Sequence, residues 1–403
     1  MKRIFSISLV LTLSVVLSLV LAGLQPTQII RAQADLPPAT ELGGESQPAE
    51  SIAPPVLSDS APTLPPDLLE SIKGGFCEQP AQGWSQRAPR PTAAYGSSVV
   101  SDGVYVYSAG GYNGSVTSNN LYRYDPVANS WTSLAPLPTA VEEALAVYAE
   151  GKIFLFGGMN NSVVNNLLQI YDIATDTWSA GTPMPANRAF AGGSYINGIV
   201  YLVGGLIENS ITTAQQQTWT YNISTTFWGT AANLPVSRSG PGSAVLNGQL
   251  YILGGRDSAG TTMNTVYRYN PVANSWIADL PLPSPVNTPG TAVYANHIWV
   301  FGGGDPFKNE TEINAIEPKT FNSTYIYNGI TASWSAGPNL NLGRSFQGGA
   351  VVRNQIISVG GWDGAATSNI VEVATQAPLN ILIIYADVNP PTTLQFQLLS
   401  QPA

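Results

Sequence analysis

Cysteine and histidine are almost absent from the sequence, which contains one residue of each type, Cys77 and His297. A single cysteine cannot form an intrachain disulfide, so the fold must be stable without covalent cross-links. One cysteine and one histidine also exclude the Cys/His clusters that bind structural zinc. The sequence further lacks a nucleophile elbow and a phosphate-binding loop, and it therefore offers no standard catalytic motif.

Charged residues are also few, at 10% of the chain, and acidic residues outnumber basic ones by 25 to 16. The positive charges are scattered along the sequence. Such a chain does not provide the electrostatic attraction that nucleic acids or anionic lipids require. We therefore expect no nucleic-acid partner and no insertion into a membrane other than through the N-terminal segment described next.

The N-terminal segment has the features of an export signal. Lys2-Arg3 precedes a long apolar run, and Ala32-Gln33-Ala34 forms a small-residue cleavage site. Residues 1–34 are therefore predicted to be a signal peptide, and the protein is predicted to be secreted or extracytoplasmic, at the cell surface or in the periplasm. The apolar run is long for a signal peptide, so an uncleaved signal anchor is an open alternative.

A proline-rich acidic segment, residues 35–75, follows the predicted signal. Residues 35–70 contain eight prolines and seven acidic residues but no lysine or arginine. Such a segment cannot bury enough apolar surface to become ordered, so we expect an extended, solvated and disordered spacer.

Glycine and aromatic residues dominate the rest of the chain and recur with a regular period. Six apolar segments end in Gly-Gly, and successive pairs are 47, 47, 50, 48 and 58 residues apart. In five repeats a tyrosine follows, with a tryptophan seven residues after it. These pairs are Tyr124 and Trp131, Tyr171 and Trp178, Tyr221 and Trp228, Tyr269 and Trp276, and Tyr327 and Trp334. A period near 50 residues is typical of propellers and other repeat architectures.

These repeats resemble the kelch family, whose repeat is a four-stranded antiparallel blade with Gly-Gly, tyrosine and tryptophan in this order. The resemblance implies an all-β, six-bladed kelch β-propeller, to which we assign residues 76–377. Turn pairs such as Asn197-Gly198 between short β-branched and aromatic runs agree with this fold. The sixth repeat lacks its tryptophan, whereas an unmatched Trp84 precedes the first. We therefore predict that the segment around Trp84 forms the outer strand of the last blade.

Three arginines, Arg188, Arg238 and Arg344, each stand 16 residues before a Gly-Gly pair. In kelch domains that bind acidic peptides, arginines that enter the innermost strand in this manner form the binding pocket. The resemblance therefore implies that the three guanidinium groups converge near the axial opening and recognise a carboxylate. The open alternative is that they pair with neighbouring carboxylates or with carbonyl groups of the blades.

The fifth repeat contains a long, charged insertion, and such loops on rigid scaffolds often carry function. We add Lys308, Glu310 and Glu312 from this loop to the candidate ligand-binding residues. Secreted six-bladed kelch enzymes that epimerise sialic acid place a glutamate and an arginine in such a loop. Here Glu310 or Glu312 matches the acid, but no arginine follows. A surface loop without function is the open alternative.

The C-terminal residues 378–403 differ in pattern from the repeats. Asn380–Asp387 is a nearly continuous apolar run that predicts a buried strand. Leu394, Phe396, Leu398 and Leu399 are expected to begin an amphipathic helix. We interpret this β-α fragment as the truncated start of an α/β domain, and a strand packed on the propeller is the open alternative.

His297 follows Ala295-Asn296 at the place where other repeats have Asn-Gly, and we interpret it as a turn residue. Kelch-like copper radical oxidases need two histidines, which this chain does not contain. Because the sequence also has no catalytic motif, no metal, cofactor or catalytic residue is predicted. We expect a monomeric, extracytoplasmic binding module that recognises a protein or a glycan. The alternative is a metal-independent carbohydrate-active enzyme such as a sialate epimerase (mutarotase).

Overall fold

The computed structural model describes residues 83–305, 319–375, 381–386 and 394–399. These residues are almost entirely β-strands and turns, with one short 3-10 turn at Ile211–Thr213. Six four-stranded antiparallel sheets form the blades of a propeller, which confirms the predicted fold class.

The strands follow the order of the repeats. A first strand, β1 (Ser85–Arg87), precedes blade 1. Blade 1 contains β2 (Ser98–Ser101), β3 (Val106–Ala109), β4 (Leu121–Asp125) and β5 (Ser130–Leu134). Blade 2 contains β6 (Leu145–Ala149), β7 (Lys152–Phe156), the short loop ladder β8 (Met159–Asn160) and β9 (Val163–Val164), then β10 (Leu168–Asp172) and β11 (Thr177–Ala180). Blade 3 contains β12 (Gly192–Ile196), β13 (Ile199–Val203), β14 (Thr218–Asn222) and β15 (Trp228–Ala231).

The remaining blades repeat this plan. Blade 4 contains β16 (Gly242–Leu246), β17 (Gln249–Leu253), β18 (Val266–Asn270) and β19 (Ser275–Asp279). Blade 5 contains β20 (Gly290–Tyr294), β21 (His297–Phe301), the loop ladder β22 (Gly304–Asp305) and β23 (Lys319–Thr320), then β24 (Thr324–Asn328) and β25 (Ser333–Ala336). Blade 6 contains β26 (Gly348–Val352), β27 (Gln355–Val359) and β28 (Val371–Thr375), with β1 as its outer strand.

The Gly-Gly pairs lie where one blade comes closest to the next. Gly157 has φ 64°, and a Cβ atom there would stand 2.1 Å from the carbonyl oxygen of Arg188 in the next blade. The following residue, Gly158, donates its N–H to that same carbonyl at 2.7 Å. Equivalent bonds occur at all six Gly-Gly pairs. A side chain at the first glycine would therefore push two blades apart.

Six tryptophans join each blade to the preceding one near the rim. Each indole N–H donates to a backbone carbonyl of the neighbouring blade, at 2.7–3.0 Å. The donors are Trp84, Trp131, Trp178, Trp228, Trp276 and Trp334. In the five repeats that contain the tyrosine, its ring lies 4.9–5.1 Å from the tryptophan ring. The aromatic repeat thus packs the interfaces between blades, and its indole N–H groups find their hydrogen-bond partners there.

The N-terminal strand closes the propeller. Strand β1 pairs antiparallel with β28, so that Ser85 stands opposite Val373. The preceding residue, Trp84, is buried, contacts Phe301 with ring centroids 5.0 Å apart, and donates to the carbonyl of Pro338. The predicted closure by the segment around Trp84 is confirmed.

His297 lies next to the turn rather than within it. The turn is formed by Ala295 and Asn296, both with positive φ. His297 is the first residue of β21, where it pairs with Tyr294 and is buried. Its Nδ1 lies 2.7 Å from the carbonyl oxygen of Ala295.

The C-terminal segment contains a strand where a helix was expected. Strands β29 (Ile381–Ala386) and β30 (Leu394–Leu399) form an antiparallel pair, with Ile381 opposite Leu399. The physical reason is visible in the alternation of Leu394, Phe396 and Leu398 with glutamines, since a period of two places one residue type on each face of a strand. The further α/β domain stays a prediction.

The predicted signal peptide (residues 1–34) and the predicted spacer (residues 35–75) lie outside the described residues, and both stay predictions. Within the part of the chain that the structure describes, no helix has the length and apolar character needed to cross a membrane.

Replacing Trp84 with alanine tests the closure. The substitution removes a buried ring and one hydrogen bond between blades, so we expect the free energy of unfolding to fall by about 3–5 kcal/mol. Urea denaturation of the full chain measures this change. Val127→Ala, in an exposed turn, is the control and should change stability by less than about 0.5 kcal/mol. Equal midpoints for the two variants would contradict the structural role of Trp84.

Candidate functional site

Six residues form a closed ring around the propeller axis, each two residues before an innermost strand. This axial ring consists of Gly96, Glu143, Phe190, Gly240, Thr288 and Phe346. The N–H of each member donates to the carbonyl of the member in the preceding blade, at 2.8–3.1 Å. Because Gly96 in turn donates to Phe346, the six hydrogen bonds form a complete circle.

All six members of the axial ring have φ between 49° and 64°. This left-handed conformation is unfavourable for residues with a Cβ atom, and most so for a β-branched one such as Thr288. Four of the six members nevertheless carry side chains. Strained backbone of this kind is retained where the surroundings enforce it, often at functional sites. The axial ring is therefore a candidate functional site.

Aromatic side chains gather at this end of the axis. Phe190 and Phe346 belong to opposite blades, and their rings meet with centroids 6.3 Å apart. Tyr95 packs 5.2 Å from Phe346 and 5.4 Å from Tyr112, and Trp362 packs on the same cluster. We call these five residues the aromatic face. Tyr95, Tyr112 and Trp362 are partly exposed, so the face combines a buried base with partly exposed aromatic residues.

Two adjacent carboxyl groups stand beside the aromatic face. Glu142 is 5% exposed, and its Oε1 accepts a 3.4 Å hydrogen bond from the Thr117 hydroxyl. Its Oε2 and the Oε1 of Glu143 are buried and have no hydrogen-bond partner. Burial raises the pKa of Glu142 to about 7. Burial, together with the charge of Glu142, raises the pKa of Glu143 well above its usual value.

Two adjoining cavities follow the axis. The first has a volume of about 110 Å³, and its lining includes Glu143, Phe190, Phe346 and Gln347. The second, of about 270 Å³, lies between the innermost strands. Both are lined by Ser97, Ala144, Ala191 and Pro289. The described part of the propeller thus encloses an axial space with Glu143 as the sole ionisable group that lines it.

The three arginines predicted to bind a ligand occupy equivalent positions, two residues before members of the axial ring. Their side chains are nevertheless buried inside the blades, with exposures of 2%, 0% and 0% for Arg188, Arg238 and Arg344. Arg344 forms an ion pair with Glu372 at 2.5 Å and donates to the carbonyls of Gly360 and Ile370.

The other two arginines have similar surroundings. Arg188 donates to Gln217 at 3.1 Å and lies 4.0 Å from the centre of the Trp219 ring. Arg238 donates to the Thr265 hydroxyl. Burial lowers the pKa of Arg188 to about 10. Arg344 therefore has the carboxylate and carbonyl partners of the structural alternative, whereas Arg188 and Arg238 bond an amide and a hydroxyl group. The three guanidinium groups do not meet in an open pocket.

A fourth arginine has the same role and was not singled out from the sequence. Arg90 is fully buried and donates to the Ser108 hydroxyl at 2.9 Å and to the Gly110 carbonyl at 2.8 Å. Arg344 makes matching contacts with Ser358 and Gly360 in the last blade. The sequence spacing did not show this equivalence, because Arg90 stands 20 residues before its Gly-Gly pair rather than 16. At that position the other repeats have leucine or methionine, such as Leu137 and Met184, with equivalent backbone hydrogen bonds.

The other candidate residues, Lys308, Glu310 and Glu312, lie outside the described residues. At the described start of their loop, Asp305 stands 4.0 Å from the Nε of Arg256 in the neighbouring blade. No three His, Cys, Asp or Glu side chains within the described ranges are placed to share a metal ion.

Replacing Arg344 with methionine tests its structural role. The variant would leave Glu372 buried without a counter-charge, so we expect the free energy of unfolding to fall by about 3–5 kcal/mol. The double variant Arg344→Met/Glu372→Leu removes both charges and should recover most of that loss. Urea denaturation of the three proteins decides the matter, and unchanged stability of Arg344→Met would rule out a structural ion pair.

Replacing Glu143 with glutamine tests the raised pKa. A carboxyl whose pKa is higher in the folded state binds protons more tightly there, so the protein loses stability as pH rises from the usual value of 4.5 towards the folded value. We expect Glu143→Gln to be more stable than the parent at about pH 8 and equally stable at about pH 4. Denaturation at a series of pH values measures the difference. A gap that stays constant with pH, or that equals the effect of Glu150→Gln in an exposed turn, would contradict this assignment.

Two protein-family models match the chain. The attractin/LZTR1 β-propeller model matches residues 76–265, and the KLHDC2/KLHL20/DRC7 kelch-repeats domain model matches residues 194–377. No curated protein sequence matches. The solved structure of YjhT is 18% identical to the chain with a TM-score of 0.62, and the match covers 76% of this chain and 99% of YjhT.

At 18% identity the likeness to YjhT shows a common fold and nothing about activity. The family models also match the repeats in sequence. Their matched ranges overlap and together span all six blades. Closed blades, inter-blade Gly-Gly contacts and the tryptophan repeat agree with them. Residues 76–377 therefore belong to the kelch-repeat β-propeller family.

Proposed function

We propose that this protein is a secreted kelch-repeat module that binds a protein partner through its aromatic face. Kelch-repeat propellers as a family suggest protein interaction, and the N-terminal sequence pattern supports export. The observation that carries the proposal is the cluster of partly exposed Tyr95, Tyr112 and Trp362 over the buried Phe190 and Phe346.

The composition of this face suits protein recognition. Tyrosine and tryptophan are enriched among the residues that dominate binding energy, because they bury a large area and lose little conformational entropy. Val116 and Val163 are exposed on the two neighbouring loops and extend the apolar surface. The N–H of Asn161 donates to the Thr117 hydroxyl and holds these loops together. A partner segment would thus meet a preformed surface, which lowers the entropic cost of binding.

The carbohydrate-active enzyme is the weaker candidate. Glu143 has the raised pKa of many catalytic acids, and it lines a cavity. Acid-base chemistry on a sugar also needs a second positioned group, and Glu143 is the only ionisable residue described at either cavity. The geometry therefore favours binding.

Selection of peptides from a display library on the full chain tests the proposal. We expect selected peptides to lose affinity by about tenfold or more for Tyr95→Ala and for Trp362→Ala. Val272→Ala is the matched control, since Val272 is exposed in the turn between β18 and β19 at the other end of the blades. Peptides that bind both aromatic variants as tightly as the parent would overturn the proposed surface. Binding of neutral glycans, lost in the same two variants, would replace the protein partner with a sugar.

A further inference from the structure

The axial cavity contains two side-chain acceptor atoms without a hydrogen-bond donor. Glu143 Oε1 and Gln347 Oε1 both belong to residues that line it, and neither has a partner. Gln347 is 5% exposed, and its Nε2 donates to the Phe301 carbonyl at 2.7 Å. That bond fixes the amide orientation and leaves Oε1 as the free acceptor.

The side-chain donors of the same cavity are already in use. The Ser97 hydroxyl donates to the Gly110 carbonyl, and the Thr288 hydroxyl donates to the Asn287 carbonyl. The backbone N–H groups of the axial ring are taken by the ring itself. An anionic ligand would therefore find few donors there, whereas a ligand that donates hydrogen bonds would find free acceptors.

The carboxyl pair also lacks a counter-charge. Within residues 83–305 and 320–374, no lysine or arginine forms an ion pair with Glu142 or Glu143. Arg188, Arg238 and Arg344 bond to side chains within their own blades. A buried carboxylate is costly without a paired cation, so the cavity favours a ligand that supplies one.

Aromatic rings complete the surroundings of the cavity. Phe190 and Phe346 line it together with Glu143. The face of an aromatic ring attracts an ammonium group, and aromatic residues around a carboxylate are a known arrangement for recognising alkylammonium ions. A volume of about 110 Å³ accommodates such a head group but not a folded segment.

We propose that the axial cavity binds a protonated amino group, carried by a lysine side chain of the protein partner. The proposal rests on the proposed function, because the partner that covers the aromatic face delivers the lysine to the axis. Glu143 supplies the negative charge, Gln347 accepts a hydrogen bond, and the two phenylalanine rings contact the methylene groups. A metal ion is disfavoured, because Ca²⁺ takes six to eight oxygen ligands and the cavity offers two free side-chain acceptors.

The first test uses a small amine in place of the partner. Thermal unfolding of the full chain is followed at about pH 8 with increasing n-butylammonium chloride, which is protonated there, and with sodium chloride at equal ionic strength. We expect n-butylammonium to raise Tm in a saturable manner and Glu143→Gln to abolish the shift. Glu150→Gln, which changes an exposed carboxylate, should retain the full shift. Glu143→Gly is a second variant without the carboxyl group, and glycine suits the positive φ at this position.

An equal shift in the parent and in both Glu143 variants would overturn the proposal, as would no shift in the parent. A saturable shift with calcium chloride and none with n-butylammonium would identify a metal site instead.

The second test separates the lysine from the surface that delivers it. Peptides selected on the aromatic face are compared with versions in which each lysine is replaced by methionine. We expect one such replacement to weaken binding at least tenfold to the parent and to leave binding to Glu143→Gln unchanged. If peptides bind the aromatic face with no dependence on lysine, the cavity inference fails and the proposed function stands. If n-butylammonium binds but lysine in peptides has no effect, the ligand is a free amine and the partner lysine is rejected.

Discussion

The axial ring of hydrogen bonds is the constraint on which the rest of the propeller depends. Each blade contributes one N–H and one carbonyl to the circle, so that all six blades must reach the axis at the same height. The left-handed conformation of the six residues follows from this requirement. The Gly-Gly contacts and the tryptophan bonds then join the same blades further from the axis. Three sets of contacts at increasing distance from the axis thus close the propeller: the axial ring, the Gly-Gly contacts and the tryptophan hydrogen bonds. The N-terminal strand contributes only to the outermost set.

The strained positions also determine what faces the axis. The ring contains two glycines, two phenylalanines, a threonine and Glu143, and the backbone holds each in place whatever its side chain. The arginines two residues earlier point into the blades, where Arg344 meets Glu372 and Arg188 meets Trp219. Glu143 is therefore the one ionisable group that lines the described axial cavities, and its charge is opposite in sign to that of the arginine pocket expected from the sequence. The proposed lysine of a protein partner agrees with this sign.

The sequence predicted the repeat, the number of blades and the closure, because Gly-Gly, tyrosine and tryptophan positions are local patterns with a fixed period. It also contained a signal for the axial ring, since each member stands 14 residues before a Gly-Gly pair. The direction of the Arg188, Arg238 and Arg344 side chains was not predictable in this way, because a shared position does not say which neighbours are within reach. The alternation of Leu394, Phe396 and Leu398 with glutamines was the signal for a strand that the helix prediction overlooked.

The pairing of β1 with β28 places the two ends of the propeller side by side. Because Ser85 stands opposite Val373, the chain enters and leaves the domain at neighbouring points of one blade. Tension applied between the flanking segments would therefore load this pair at one end and separate its hydrogen bonds one after another, starting at Trp84. The other five blades, each built from a continuous stretch of chain, would carry no load until that strand had detached. Strand β1 is accordingly the first part of the domain that should unfold under tension.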